Sequence, residues 1–176
     1  MNVLIRPAIA DDQEAILALT GGERVKPVGL RWPNFVVAEQ DRRLIGAVQL
    51  RPHRDGSHEL GTLVVERSSR NIGIASRLID ALLANRTGRI FMITGSQHAD
   101  HYGRWGFASI EPRSAPACIA WNYRLGQYGG CLMAFFQRRA VKQLAILERR
   151  HVLNGTAINL MLSDGALDRK GRPLAE

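Results

Sequence analysis

Apolar residues follow two different rhythms along this chain. Over the first half, short β-rich runs alternate with polar turns. Val3 to Arg6 is a strand stopped by Pro7, and Phe35 to Glu39 and Leu44 to Leu50 are two further runs. The polar Gln40-Asp41-Arg42-Arg43 between that pair predicts an antiparallel hairpin. A second turn at Asp55-Gly56-Ser57 leads into a strand over Glu59 to Val65, and Arg89 to Thr94 has the composition of a buried strand. Asp11-Asp12 open a helix with Ile16, Leu17 and Leu19 on its buried face, and Gly21-Gly22 end it. Ile74, Leu78, Ile79, Leu82 and Leu83 recur at helical spacing and predict a helix over Ile72 to Ala84. Residues 59–94 therefore predict one βαβ crossover, and the whole predicts an α/β (α+β) fold whose mixed sheet is antiparallel first and parallel later.

Beyond Thr94 the rhythm loosens. A polar stretch with His98 and His101 precedes the aromatic cluster Tyr102, Trp105 and Phe107 and a short strand around Ala108 to Ile110. From Trp121 onward, Cys131-Leu132 and Phe135-Phe136 stand four apart and predict a helix weakened by Gly126, Gly129 and Gly130. Gln143 to Glu148 reads either as a continuation of that helix or as a strand, and Ala157 to Leu162 is a last apolar run before a polar end. The expected organisation is a core over residues 1–115 and a C-terminal extension over 116–176. The extension's apolar residues must pack on the core or in a contact between two copies, and a homodimer is expected.

Length and charge narrow the chemistry. A chain of 176 residues suits a single domain, and 45% apolar against 23% charged residues is ordinary globular composition. Its net charge of +8 suits an anionic partner. The densest basic spots are only pairs, Arg42-Arg43, Arg138-Arg139 and Arg149-Arg150, so a nucleic-acid footprint is not expected. Cys118 and Cys131 lack the spacing of a zinc site or a disulfide framework. The N-terminus lacks a leader pattern and no uncharged apolar run approaches a membrane span, so a cytoplasmic protein without membrane contact is expected.

The chemical signal is Arg70-Asn71-Ile72-Gly73-Ile74-Ala75, between a strand and an amphipathic helix. Small residues at 73 and 75 let backbone approach a ligand. The unpaired N–H groups of a first helical turn, at the positive end of the dipole, favour phosphate. No Gly-Lys-Ser/Thr follows, and one glycine does not make a dinucleotide fingerprint. In its place the segment resembles the Arg/Gln-x-x-Gly-x-Gly/Ala signature of the GNAT superfamily of acetyl-CoA-dependent acetyltransferases. Ile5-Arg6-Pro7-Ala8, the hairpin from Phe35 to Leu50, Leu63-Val64-Val65 and Tyr102-Gly103-Arg104-Trp105-Gly106-Phe107 are similar to that superfamily's successive elements. The similarity extends over about residues 3–111. Phe35 to Glu39, Leu44 to Gly46 and Glu59 to Gly61 are most similar to the catalytic domain of amino-acid acetyltransferases of the N-acetylglutamate synthase kind. No amino-acid-kinase domain is expected beside it, and Ser96 to His101 departs from that group's pattern.

The resemblance implies a GNAT fold with a central sheet splayed at the cofactor strand, and transfer of acetyl from acetyl-CoA to a primary amine of an amino acid or other small molecule. It implies that Leu63, Val64 and Val65 line the pantetheine, that Arg70, Asn71, Ile72, Gly73, Ile74 and Ala75 hold the pyrophosphate, and that Tyr102 protonates the departing thiolate. Glu59 is the implied general base, with His58 as neighbouring candidate. On the acceptor side, Arg31, His98 and His101 are candidate substrate contacts, and Lys26 and Arg113 lie in loops nearby. His98, Asp100 and His101 lack a further ligand cluster, so no metal is expected. A protein lysine or N-terminal acetyltransferase and a non-catalytic CoA-binding sensor are the alternative classes.

Overall fold

The computed structural model describes residues 2–21, 29–84, 86–137 and 143–150. Seven described strands form one sheet: β1 (Leu4–Pro7), β2 (Phe35–Gln40), β3 (Arg43–Pro52), β4 (His58–Val65), β5 (Arg89–Gly95), β6 (Phe107–Ile110) and β7 (Leu144–Arg150). Their spatial order is β1-β2-β3-β4-β5-β7-β6. Helices α1 (Gln13–Thr20), α2 (Ile74–Leu83) and α3 (Ala117–Gln137) cover the faces.

The expected hairpin forms, with Val36 opposite Val48 and Val37 opposite Ala47. Its turn uses two left-handed residues, Asp41 (φ 50°) and Arg42 (φ 63°), the backbone twist that a tight hairpin demands. Along α2 the predicted stripe is buried without exception, Ile74, Leu78, Ile79, Leu82 and Leu83 packing against Val48, Leu50, Leu60 and Ile90. The helix starts two residues later than predicted, at Ile74, and Ile72 is 60% exposed. On α1 the buried positions are Ile16 and Thr20, one helical turn apart, and Leu17 is turned out with 47% exposure. Thr20 tolerates burial because its Oγ1 donates to the Ile16 carbonyl at 2.9 Å. Ile16 packs on Val37, Ala47 and Val64, so α1 lies across the sheet from α2.

The stretch with two readings, Gln143 to Glu148, is strand from Leu144 onward. β7 pairs antiparallel with β5 from Arg89↔Arg150 to Gly95↔Leu144 and with β6 on its other edge. Ile146 joins Phe91 and Ile119 of α3 in a third apolar cluster. The stretch expected as a C-terminal extension thus supplies a helix, α3, and an inserted strand, β7, among its described residues. The run Ala157 to Leu162 and the loop around Lys26 lie outside the described residues.

Two irregularities position the site. The β3–β4 register slips between Val48 and Gln49, leaving Thr62 as the extra residue of a bulge. The parallel pairing of β4 with β5 covers only His58↔Ile90, Glu59↔Phe91 and Leu60↔Met92. Past Leu60 the two strands part, and, among the described residues, 61–65 have a strand neighbour on the β3 side alone. No described helix is long and apolar enough to cross a membrane.

Candidate active site

From the end of β4 the chain passes through a 3-10 turn at Arg67–Ser69 and arrives at α2. Arg70 ties this loop back, its Nε donating to the Val65 carbonyl at 2.9 Å. Asn71 (φ 65°) and Gly73 (φ 84°) are both left-handed, and Gly73 is the N-cap without any side-chain cap. The first helical bond of α2 runs from the Arg77 N–H to the Gly73 carbonyl at 3.1 Å. The N–H groups before Arg77 are therefore left for another acceptor, at the positive end of the helix dipole. A Cβ placed on Gly73 would meet no atom within 4 Å, so the space over the turn is open. Donor set, dipole and open cradle together fit the pyrophosphate of a CoA group. Ile74 is buried in the core, while Asn71 and Ile72 are exposed around the turn.

The gap between β4 and β5 adjoins this loop. Gly61, Thr62 and Leu63 are half-buried beside it, whereas Val64 and Val65 bury their side chains on opposite faces of the sheet. What these residues offer to a ligand in the gap is main chain, a strand edge unpaired among the described residues and of the kind that extended molecules add to.

Glu59 sits on β4 between Arg51 of β3 and Phe91 of β5, and is 6% exposed. Its Oε2 accepts from Asn122 Nδ2 of α3 at 3.1 Å and lies 3.0 Å from His53 Nε2 and 3.8 Å from an Arg51 guanidinium nitrogen. Sequence reasoning found none of these three partners. Gln49 and Arg51 share a face of β3, and His53 continues their alternation just past the strand's end, a period-two signal that was present; Asn122 is 63 residues from Glu59 and left no local trace.

His58, the other candidate base, points to the opposite face, as the pleat requires of adjacent residues. It lines a cavity with Pro7, Phe35, Leu50, Leu82 and Arg86. Burial, followed by the charges of Arg86 and His53, holds its imidazole below the ordinary histidine range.

Tyr102 lies on the 3-10 segment Asp100–Trp105 and packs against the α2-side core, edge-on to Phe107 at 6.4 Å. Burial pushes its hydroxyl above the ordinary tyrosine value. The segment is held on α2 by Trp105, whose indole N–H donates to Asp80 at 2.6 Å, and by Arg104, which donates to Ser76 at 2.7 Å and stacks on Trp105. His101 is exposed, T-stacked on Tyr102 and Trp105, and His98 is exposed one turn earlier. No group of three or more potential metal ligands occurs among the described residues.

Arg31 is exposed in a segment anchored over β3, where the Gly29 carbonyl accepts from Gln49 Nε2 at 2.7 Å and from the Arg31 N–H at 2.8 Å. Arg113 is paired with Glu111 on the surface at 2.5 Å. The structure thus gathers Arg31's segment, Gln49, Arg51 and Glu59 on one side of the gap. It leaves His98, His101 and Arg113 on exposed turns.

Residues 31–109 match the sequence model described as an acetyltransferase (GNAT) domain. A comparison with curated proteins finds no match. Among solved structures, N-acetylglutamate synthase from Neisseria gonorrhoeae, complexed with coenzyme A and N-acetyl-glutamate, is similar with a TM-score of 0.62 and 21% identity. The alignment covers 85% of this chain and 35% of that one, so the chain spans about a third of the synthase's length. Rv2747 from Mycobacterium tuberculosis, also in complex with CoA, is similar at TM-score 0.61 and 20% identity, over 85% of this chain and 99% of that one. Arabidopsis thaliana Naa50, bound to a CoA-peptide bisubstrate analogue, is similar at TM-score 0.56 and 13% identity, over 85% and 99%. All three share their fold with this chain at identities too low to carry a substrate across. The segment that matches the acetyltransferase (GNAT) domain model contains the gap, the α2 loop and the Tyr102 to Phe107 element.

Proposed function

We propose that the protein transfers acetyl from acetyl-CoA to the primary amine of a small molecule. The observation that carries this reading is the one-sided strand edge of β4 beyond Leu60, which opens between the uncapped, unobstructed loop at Gly73 and the buried carboxylate of Glu59. When bound, acetyl-CoA supplies an acetyl group activated as a thioester, with a carbonyl carbon open to an amine and a thiolate as leaving group. Backbone N–H groups around Asn71 to Ala75 hold the pyrophosphate, and the β4 edge from Gly61 to Val65, including Leu63 and Val64, aligns the pantetheine. Glu59 takes the proton that the acceptor ammonium must lose before its nitrogen can attack. The N–C bond forms and the C–S bond breaks, β4 N–H groups steadying the carbonyl oxygen. Tyr102, kept protonated by burial, gives its proton to the sulfur. The tyrosine recovers a proton from the second one shed by the amine, so each turnover releases one proton net.

The assay is thiol release from acetyl-CoA by the purified chain across a panel of free amines and peptides, with Glu59→Gln beside it. Expected are turnover with a small amine and a loss of about 10²-fold or more in kcat/KM for Glu59→Gln at unchanged CoA affinity. Acetyl-CoA binding without thiol release to any amine would overturn the reading in favour of a sensor. We also propose a cytoplasmic homodimer. In support, Trp121, Leu125 and Tyr128 are exposed on α3 at a spacing that puts them on one face. Light scattering at micromolar concentration tests it, and a monomer's mass would reject it.

A further inference from the structure

We propose that Arg51 anchors a carboxylate of the acceptor and, together with Glu59, selects free α-amino acids over peptide N-termini, lysine side chains and plain amines. The inference rests on the acetyl-transfer reading above and adds to it a substrate class. Its starting point is an arginine whose one ion-pair partner among the described residues, Glu59, stands at 3.8 Å, with no hydrogen bond to it. Arg51 lies near the end of β3, opposite Glu59 in the strand register, and its side chain is 20% exposed. Its Nε is buried with no hydrogen bond. Its nearest carboxylate oxygen, Glu59 Oε2, is 3.8 Å away and is already engaged by His53 and Asn122. Other part-buried arginines of the chain are matched: Arg6 bridges Asp12 and Glu39, Arg89 meets Glu148, and Arg77 donates to the Val3 carbonyl. A guanidinium whose Nε is unsatisfied and whose ion pair is long retains donors in a planar fork, the shape that best receives an oxyanion.

Its position says which oxyanion. A Cβ on Gly61 would lie 3.2 Å from an Arg51 terminal nitrogen, so the guanidinium overlies Gly61. Gly61 is the first residue past the last β4–β5 pair, where the gap opens. Glycine at this position is what lets the guanidinium descend onto the strand. At the mouth of the gap, then, a cation and a carboxylate stand side by side. An α-amino acid carries the opposite arrangement, an ammonium and a carboxylate on one carbon. Its ammonium faces Glu59, which deprotonates it, while its carboxylate faces Arg51. A peptide N-terminus has an amide where the carboxylate would be. The lysine ε-amine is too far from any carboxylate to use both groups.

The test compares α-amino acids with their own carboxamides and decarboxylated amines, using the full chain, acetyl-CoA and thiol release. Expected is a preference of about 10²-fold or more in kcat/KM for the free acid, because an analogue that leaves a desolvated charge unmatched is rejected strongly. Arg51→Gln should bring the acid down to the level of its amide, chiefly through KM, with CoA affinity by calorimetry unchanged. Arg51→Lys should recover part of the preference. Equal turnover of acid and amide by the unmodified protein would overturn the proposal while leaving acetyl transfer standing. A preference that survives in Arg51→Gln would overturn the assignment to this residue. A uniform fall in kcat for acids and amides alike would show Arg51 to be a structural neighbour of Glu59. Thiol release to none of these compounds would defeat both readings together.

Discussion

Gly73→Ala separates the backbone role of this glycine from its role as a ligand cradle. Gly73 sits at φ 84° with nothing within 4 Å of a built Cβ, so the methyl group meets no steric obstacle and only the left-handed backbone resists it. That conformation costs an L-residue about 1–2 kcal/mol. For a domain of this size the melting temperature falls by roughly 2–4 °C per kcal/mol, so a drop of about 2–8 °C is expected. Gly88 supplies the control. It too is left-handed, at φ 89°, with open space around it, but it lies beyond the other end of α2. Gly88→Ala should therefore lose about the same stability. Under the proposed placement, only Gly73→Ala puts a methyl beside the N–H groups that would meet the pyrophosphate. Loss or lengthening of one charge-assisted hydrogen bond is worth about 1.5–3 kcal/mol, or roughly 10–150-fold in affinity. Gly73→Glu, which adds a like charge, should abolish binding. The assay is calorimetric titration with CoA on both alanine variants after thermal melts confirm folding. Equal CoA affinity for Gly73→Ala and Gly88→Ala would refute the placement of the pyrophosphate at this loop.

Three further outcomes are expected. Tyr102→Phe keeps the ring's packing on Phe107 and Trp105 but removes the hydroxyl, so CoA affinity should hold while kcat falls by about 10²–10⁴-fold. Because burial raises the Tyr102 hydroxyl above its ordinary value, the parent's alkaline loss of kcat should begin only above about pH 10; full activity of the variant would assign the proton to solvent. Asp12 is held below the usual carboxylate range, first by its hydrogen bonds from Arg6 (2.6 and 3.0 Å), opposed by burial, and further by the Ile9 N–H. A depressed carboxyl contributes stability above its unfolded value that is lost as pH falls through the folded one. Asp12→Asn should accordingly cost about 1.5–3 kcal/mol in urea melts at pH 7. Its deficit should close progressively below about pH 5, and a gap independent of pH would refute the pairing as its source. Finally, a chain ending at Arg113 lacks α3 and β7 and uncovers Phe91, so insoluble protein is expected; a soluble, active fragment would show residues 114–176 to be an appendage.

What the sequence made legible was what is local. The α2 stripe, the hairpin and the Arg70 to Ala75 loop each lie within a short stretch whose spacing dictates its conformation, and the structure shows them nearly as read. Leu17 and Thr20 exchanged places because hydrophobicity alone could not register that a threonine can satisfy its hydroxyl on its own helix. The partners of Glu59 fall in between. His53 and Arg51 could have been found from the alternation that follows Gln49, whereas Asn122 arrives from α3 through tertiary packing alone.

Least legible was the insertion of β7, and it is also what makes the gap affordable to the fold. Where β4 and β5 part beyond Leu60 and Met92, each strand gives up hydrogen bonds on one edge, and a strand left bare on both edges would not hold its place. β3 secures β4 from Val65 back to His58. For Ile93, Thr94 and Gly95 the security comes from Ile146, Ala145 and Leu144 of β7. These pairs join residues about fifty apart, from a segment whose apolar pattern suits helix and strand alike, and such pairing is decided by the rest of the sheet rather than by the segment itself. A seven-residue strand from the far end of the described chain thus bears directly on the site: it keeps β5 in place while the β4 edge facing it is left open for a ligand.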